Sequence, residues 1–483
     1  MTFILSLLQS GLGNLAAYLA AHVLLCLLPA FYIAGAMTAL IPKETVTRFL
    51  GRTTPKYISY PAAALAGSVL AVCSCTIVPL FAGIYKKGAG LGPAITFLFF
   101  APAANILALI YTGGVIGPDL ALARLLLSLA FGIGIGLMMA LMFRTEDVAH
   151  DAATDALFAG QGHMRRAALM FLLVLVALLL SGTLKVSLFT NTYATLTLPI
   201  GGVGKFQAWL YALAPFDAAQ GEEGVTAQGV LLILLLALIG FTSWKGIENI
   251  FDGLNRWIWA SLGLVGVTLL AAAVGMVPHA NGLDILINGK FFGVLVALIA
   301  LGWILKRHFS EDETREFLWE SWKFVKQIFP LLIVGVFAVG VIRKLIQPEW
   351  IEALAGQNTL LGNLAGVVFG VFMYFPTLVE VPIAQMFLNL GMHRGPLLAY
   401  LMADPELSLQ SILITATIIG RLKAWTYVGW VALFSTLAGL MYGAWVDGVS
   451  VWLLGLYLVG FLATLSGGLW FVNRHQHIAV AVH

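Results

Sequence analysis

Two cysteines one residue apart, Cys73 and Cys75, sit in the apolar run GSVLAVCSCTIVPLF just ahead of Pro79. Sulfur is a soft ligand that suits thiophilic ions or trivalent arsenic. On a regular helix side chains at i and i+2 diverge, whereas unwound backbone lets them converge. Pro79 removes a backbone donor and crowds the preceding turn, so carbonyls around residues 72–75 are expected to be freed. A third cysteine, Cys26, stands alone in an apolar segment and reads as ordinary packing. The acids lie far away in the sequence. Glu380 falls in PTLVEVP between Pro376 and Pro382, while Asp404 and Glu406 flank Pro405. An ionisable side chain at membrane depth is costly and marks function by default. An acid that stays neutral in apolar surroundings suits a proton carrier, and Glu380 is the first candidate for that role. Asp404 followed by Pro405 also has the form of a helix N-cap and N1 pair, so structure and function remain open there.

These residues need elements to hold them, and composition says which kind. The chain of 483 residues is 60% hydrophobic and 10% charged. A soluble domain carries roughly 25% charged residues, enough to wet its surface. Apolar runs near 20 residues recur along the length, and continuous runs of that size cross the hydrocarbon core as helices. The expected class is therefore an all-α integral membrane protein, a polytopic bundle of about 11 spans. They fall near 16–41, 93–114, 119–143, 166–182, 229–242, 257–277, 290–305, 323–346, 396–417, 424–445 and 451–472. No Lys or Arg precedes the first apolar stretch, so no cleavable signal peptide is expected. The net charge of +3 points to no nucleic acid partner. Arg421, Lys423 and Tyr427 read as anchors at a cytoplasmic helix start. His279, His308, His393, His475 and His477 show no metal-ligand spacing.

Loop charge orients the spans, because cytoplasmic loops are rich in Lys and Arg. Loops 43–56 and 306–323 carry four such residues each and read as cytoplasmic, as does 144–166. Loop 278–289 has none, and 183–228 has only Lys185 and Lys205, so both read as external. Three apolar segments between 43–56 and 144–166 then require one to enter and return. Stretch 57–87 is the natural choice. Such a hairpin needs protein or a water cavity over its unpaired backbone.

The same element recurs. Gly67, Pro79, Gly88, Gly92, Pro93, Leu98 and Pro102 align without a gap to Gly370, Pro382, Gly391, Gly395, Pro396, Leu401 and Pro405, every pair 303 positions apart. Gly136-Leu137-Met138 matches Gly439-Leu440-Met441 at the same offset. The orientation count makes the copies antiparallel. Inverted repeats with discontinuous elements near the midplane mark alternating-access transporters. The expected organisation is a first repeat over 16–145 with a re-entrant hairpin at 57–92, and an insertion of four helices over 146–320 with external loop 183–228. A second, inverted repeat follows over 321–445 with its hairpin at 359–395, then a last helix and tail over 446–483. Pro79, Pro102, Pro382 and Pro405 are the expected helix breaks. Asn105 and Ser408, aligned with each other, are expected to offer polar contacts at the second break.

Cys73-Ser74-Cys75-Thr76-Ile77-Val78-Pro79, then Lys87-Gly88-Ala89, then Phe97 to Asn105 with Pro102 resemble the predicted permease family, whose members include trivalent organoarsenical efflux permeases. The resemblance covers roughly 20–145 and 320–445; the insertion at 146–320 departs from it. It implies a multi-pass permease of the inner (plasma) membrane, with Cys73, Cys75 and Pro79 as a site and Asn105 beside them; Thr76 and Ser408 join them as expected substrate contacts. The residues themselves make Glu380, Asp404 and Glu406 the candidates for proton coupling, and Cys73 and Cys75 the candidate soft metal ligands. The leading expectation is a secondary, proton-coupled efflux permease for a small thiophilic or metalloid solute. The alternatives are a permease of the same build for a sulfur-containing anion or organic solute, or a membrane thiol redox protein. No Walker-type or cofactor motif is present, so no enzyme and no cofactor is expected. The partners are a small-molecule substrate and the lipid bilayer, with homo-oligomerisation left open.

Overall fold

The computed structural model describes residues 2–21, 23–69, 74–158, 165–183, 187–213, 224–279, 282–343, 345, 349–372, 377–460 and 463. Over these the chain is a polytopic helical bundle. Seven helices are long and apolar enough to cross a membrane, and the pair Arg394–Leu407 and Leu409–Ile419, bent by 48°, adds an eighth. The other three expected spans, 16–41, 166–182 and 451–472, contain shorter apolar helices: Leu27–Leu40, Arg166–Gly182 and Val451–Gly460.

The first half runs α1 (Thr2–Ala21), α2 (Val23–Leu40), α3 (Lys43–Leu50), α4 (Lys56–Val69), α5 (Ser74–Lys86), α6 (Leu91–Ala103), α7 (Ile106–Val115) and α8 (Pro118–Met142). The stretch drawn from 16 to 41 is thus α2 preceded by a separate helix, α1. Ser10 and Asn14 tie α1 to a later helix by donating to the carbonyls of Gly340 and Val336, both at 2.9 Å.

The middle of the chain holds α9 (Arg144–Phe158), α10 (Arg166–Thr183), α11 (Ser187–Thr190), β1 (Thr192–Leu198), α12 (Val203–Leu213), α13 (Ala227–Ile247), α14 (Arg256–Ala273), β2 (Gly275–His279), β3 (Gly282–Asn288) and α15 (Gly289–His308). The two loops expected to be external are not featureless. They pair as a small antiparallel sheet in the order β1-β3-β2. TYATLTL alternates polar and apolar residues with β-branched threonines, which is strand chemistry. Its partner lies about ninety residues on, with Thr192 opposite Asn288. This pairing puts both loops at one end of the bundle. The four long helices α10, α13, α14 and α15 pack on one another and on α1 and α2. An apolar cavity of about 150 Å³ remains between α2, α13 and the long helix that follows, lined by Phe31, Ile239, Ser243 and Trp322 among others.

The last part runs α16 (Glu311–Arg343), α17 (Glu349–Ala355), α18 (Leu360–Phe372), α19 (Thr377–Asn389), α20 (Arg394–Leu407), α21 (Leu409–Ile419) and α22 (Arg421–Val446). At an offset of 303 positions α5 coincides with α19 residue for residue, and α4, α6, α7 and α8 fall on α18, α20, α21 and α22 to within a residue at either end. Contacts repeat as well. A Cβ on Gly136 would lie 2.6 Å from the Gly92 carbonyl oxygen, and one on Gly439 would lie 2.6 Å from that of Gly395. Only glycine permits helices to approach so closely.

Each half folds a hairpin that returns to its starting level. Gly51 and Ala89 form a β-bridge, and the Gly90 N–H donates to the Leu50 carbonyl at 2.8 Å, so α4 leaves and α5 returns to one level. In the other half the His393 N–H donates to the Ala355 carbonyl at 2.9 Å. The turns use Gly88 and Gly391 at φ +87° and +90°, where a side chain is disfavoured. The two turns lie at opposite ends of α8, whose 25 residues span about 37 Å. At its N-terminal end Asp119 pairs with Arg394 at 2.9 Å. Just past its C-terminal end Asp147 accepts the Leu91 N–H at 2.9 Å. The basic loops gather at that second end: Arg52 meets Asp151 at 3.6 Å, Lys423 meets Glu146 at 2.7 Å, and Arg165 pairs with Glu313.

Candidate functional site

The α6–α7 corner follows Pro102 by two residues. Helix α6 ends at Ala103, and α7 begins after Asn105. Asn105 holds the corner from both sides: its Oδ1 accepts the Ala108 N–H at 2.9 Å, and its Nδ2 donates to the Pro102 carbonyl at 3.3 Å. It is the N-cap of α7. The Ala103 carbonyl, left over by the corner, accepts Nε of Arg124 at 2.7 Å. Arg124 lies on α8 and is fully buried. Its Nη1 donates to Thr112 Oγ1 at 3.2 Å, and its Nη2 donates to Glu380 Oε1 at 2.8 Å. Thr112 can accept because its own proton goes to the Ala108 carbonyl at 2.7 Å.

Glu380 belongs to α19, in the other half of the chain, and is also fully buried. This ion pair therefore bridges the halves inside the bundle. Two charges out of water are tolerable only when paired and hydrogen-bonded. Arg124 meets that demand with three acceptors, while Glu380 Oε2 has no partner among the described residues.

The equivalent corner in the second half is built alike and charged differently. Ser408 caps α21 by accepting the Ser411 N–H at 3.4 Å and donates to Ser411 Oγ at 2.7 Å. At the 303-position offset Arg124 becomes Tyr427, Ala103 becomes Glu406, Thr112 becomes Thr415, and Glu380 becomes Ile77. The Tyr427 hydroxyl donates to Glu406 Oε2 at 2.7 Å. Glu406 Oε1 is buried with no hydrogen-bond partner among the described residues. A narrow cleft runs past it, lined by Ile77, Val78, Leu98, Pro405, Ser411 and Thr415 together with the Glu406–Tyr427 pair.

Sequence comparison fixes the family. The profile described as predicted permease matches residues 10–444. The UPF0718 protein MJ0584 of Methanocaldococcus jannaschii is 31% identical over 443 residues, covering 92% of this chain and 98% of that protein. The chain belongs to the predicted permease family. The UPF0718 protein YraQ of Escherichia coli is 29% identical over 118 residues, which is 24% of the permease and 34% of YraQ. No solved structure matches. The permease is thus a multi-pass membrane transporter.

The sequence-derived site residues fall into three groups in the permease. Glu380, Glu406, Asn105 and Ser408 are buried and gather at the two corners. Thr76 is buried on α5 beside Ile77, and Asp404 is buried on α20, where its backbone closely approaches Gly370. Cys73 and Pro376 lie outside the described residues. Cys75 lies in the first turn of α5, two residues before the cleft-lining Ile77; its side chain lies outside them too. The prolines divide. Pro102 and Pro405 sit just before the corners, whereas α5 and α19 are helical through Pro79 and Pro382. Pro79 and Pro382 are each the sixth residue of their helix, so each removes one i→i−4 hydrogen bond and leaves the carbonyl four residues earlier without that donor.

Arg124 escaped the sequence reading, and a signal for it was present. LALARLLLSLAF places one arginine inside a span, where an ionisable side chain marks function by default. Tyr427 read as an interfacial anchor; it is 3% exposed and bonded to Glu406.

Proposed function

We propose that this permease is a secondary transporter that exports a small thiophilic or metalloid solute, of the trivalent organoarsenical kind, in exchange for protons. Its core is two inverted repeats, each with a re-entrant hairpin, and it works by alternating access at the inner (plasma) membrane. The observation that carries this reading is the buried Arg124–Glu380 pair at 2.8 Å, which joins α8 of one half to α19 of the other. A charge pair across the two moving units is a contact that an alternating cycle makes and breaks. The hairpins returning to opposite ends of α8 support the inverted arrangement. Cys73 and Cys75 supply the soft ligands, with Thr76, Asn105 and Ser408 lining the path. Glu380, Asp404 and Glu406 are the acids available for coupling. The central helices 146–320 buttress α1 and α2 outside this core.

The test is uptake of a methylated trivalent arsenical into energised everted vesicles, comparing wild type with Cys75→Ser and Glu380→Gln. Wild type accumulates the arsenical and both variants fall to background. Equal transport by all three removes both role assignments. A sulfur-containing anion is the second substrate class, and one observation favours it: a guanidinium at membrane depth, Arg124, attracts anions whenever Glu380 releases it. In that case thiosulfate competes for uptake, and replacing Cys73 and Cys75 by alanine leaves transport unchanged.

A further inference from the structure

We propose that Glu406 is the acid that carries the coupling proton and that Glu380, held by Arg124, is not. This rests on the proton-coupled reading above and assigns its site. The two acids occupy comparable corners with opposite electrostatics. Glu380 has a guanidinium at 2.8 Å, and protonating it would strand the Arg124 charge inside the bilayer. Glu380 therefore stays ionised as long as the halves stay joined.

Among the described residues no cation pairs with Glu406. Helix α8, packed on α20, carries Arg124, whose donors go to the Ala103 carbonyl, Thr112 and Glu380. Helix α22 offers Tyr427, α19 offers the already engaged Glu380, and its own helix α20 offers Asp404. Helices α5, α6 and α21 offer Ile77 and Val78, Leu98, and Ser411 and Thr415. An isolated carboxylate in such surroundings is the costlier form, so in this conformation Glu406 carries a proton. The geometry accommodates it. Tyr427 donates to Oε2, which leaves Oε1, without a hydrogen-bond partner among the described residues, to hold the proton.

When the cleft opens to water, Oε1 releases H⁺ to that water. Glu406 becomes a carboxylate, still accepting the Tyr427 O–H, and a proton from water on the other side restores it after the halves reorient. The cleft is narrow, and a proton is the one coupling ion that needs no room of its own.

Infrared difference spectra of the full-length protein in liposomes, recorded across pH steps in H₂O and D₂O, test this without a substrate. One carbonyl-stretch component of a protonated carboxylic acid is expected in wild type and in Glu380→Gln and missing from Glu406→Gln, while exposed acids and Asp147 contribute alike to all three. A Glu406→Gln spectrum that keeps every wild-type component, or a component lost in Glu380→Gln alone, overturns the proposal. Wild-type protein treated with a hydrophobic carbodiimide, which attacks protonated carboxyls in apolar sites, gives the same answer with no variant. Modification maps to Glu406; modification at Glu380 instead refutes the assignment. Arsenical uptake separates the two levels. Glu406→Gln is expected to lose gradient-driven uptake while keeping substrate exchange. If Glu406→Gln responds to the proton gradient as wild type does, the assignment falls alone. If wild type ignores collapse of the gradient, the coupled reading falls and takes the assignment with it.

Discussion

The corner of the first half and the corner of the second share a scaffold and differ in charge. Each has a proline, a polar N-cap (Asn105 or Ser408), a threonine about two turns inside the next helix (Thr112 or Thr415), and a long polar side chain from the following span (Arg124 or Tyr427). In the first corner the long side chain is cationic and its acid comes from the other half. In the second it is a neutral phenol, and its acid, Glu406, comes from its own half. The two corners therefore share a frame and differ in chemistry. The first corner ties the halves together with balanced charge; the second holds one acid with no counter-charge among the described residues.

The largest expected effect breaks the tie. Arg124→Met leaves Glu380 buried without its counter-charge, which should cost about 3–5 kcal/mol. Thermal unfolding in detergent reads this as a large drop in Tm. The double variant Arg124→Met with Glu380→Met should regain most of the loss, because a well-packed apolar pair removes the charge as well as its partner. Should single and double variants melt together, the ion pair is not what stabilises this contact.

A smaller effect tests whether the frames are equivalent. Gly136→Ala and Gly439→Ala each push a methyl to within 2.6 Å of a facing carbonyl oxygen, on Gly92 and Gly395. Overpacking of this kind costs about 1–3 kcal/mol. The two losses should match. A marked inequality would mean that only one half depends on the close approach.

Smaller again is the loss of single hydrogen bonds. Thr112→Val removes the Oγ1 acceptor of Arg124 and Tyr427→Phe removes the donor to Glu406, each worth about 1 kcal/mol. Thr415→Val should cost less than Thr112→Val, because Tyr427 reaches Glu406 and not Thr415. Equal costs at the two threonines would erase the distinction between the corners.

Much of this frame was legible before any coordinates. A 303-position offset written in glycines and prolines survives because those residues answer to backbone needs, such as the turns at Gly88 and Gly391, that hold for each copy alone. Charged loops likewise report their side of the bundle one loop at a time. Pairing over distance was not legible. Arg124 and Glu380 are 256 positions apart and belong to different halves, so no local pattern links them. Strand β1 was hidden for a related reason: seven residues, six of them exposed, become a strand only when β3 arrives beside them. The corners, finally, follow Pro102 and Pro405 because chain termination is decided by the caps at Asn105 and Ser408, which proline spacing does not reveal.

The smallest effect concerns how each half starts the helix after its hairpin. In the first half the buried carboxylate of Asp147 accepts the Leu91 N–H; in the second the His393 imidazole accepts the Gly395 N–H at 3.1 Å through Nδ1. Burial pushes the Asp147 carboxyl above its ordinary range, although the Leu91 N–H, His150 and Arg52 pull it down. The folded state then holds this proton more tightly than the unfolded chain does. Between the ordinary value, about 4, and the raised one, the native state binds more protons, so stability falls as pH rises through that interval. Asp147→Asn keeps an oxygen for the Leu91 N–H and cannot ionise. Its Tm should lose that part of the decline, and the gap between variant and wild type should widen with pH until Asp147 is fully ionised and then stay constant. Parallel profiles would show that the first half's helix start is as insensitive to this titration as a neutral cap would be.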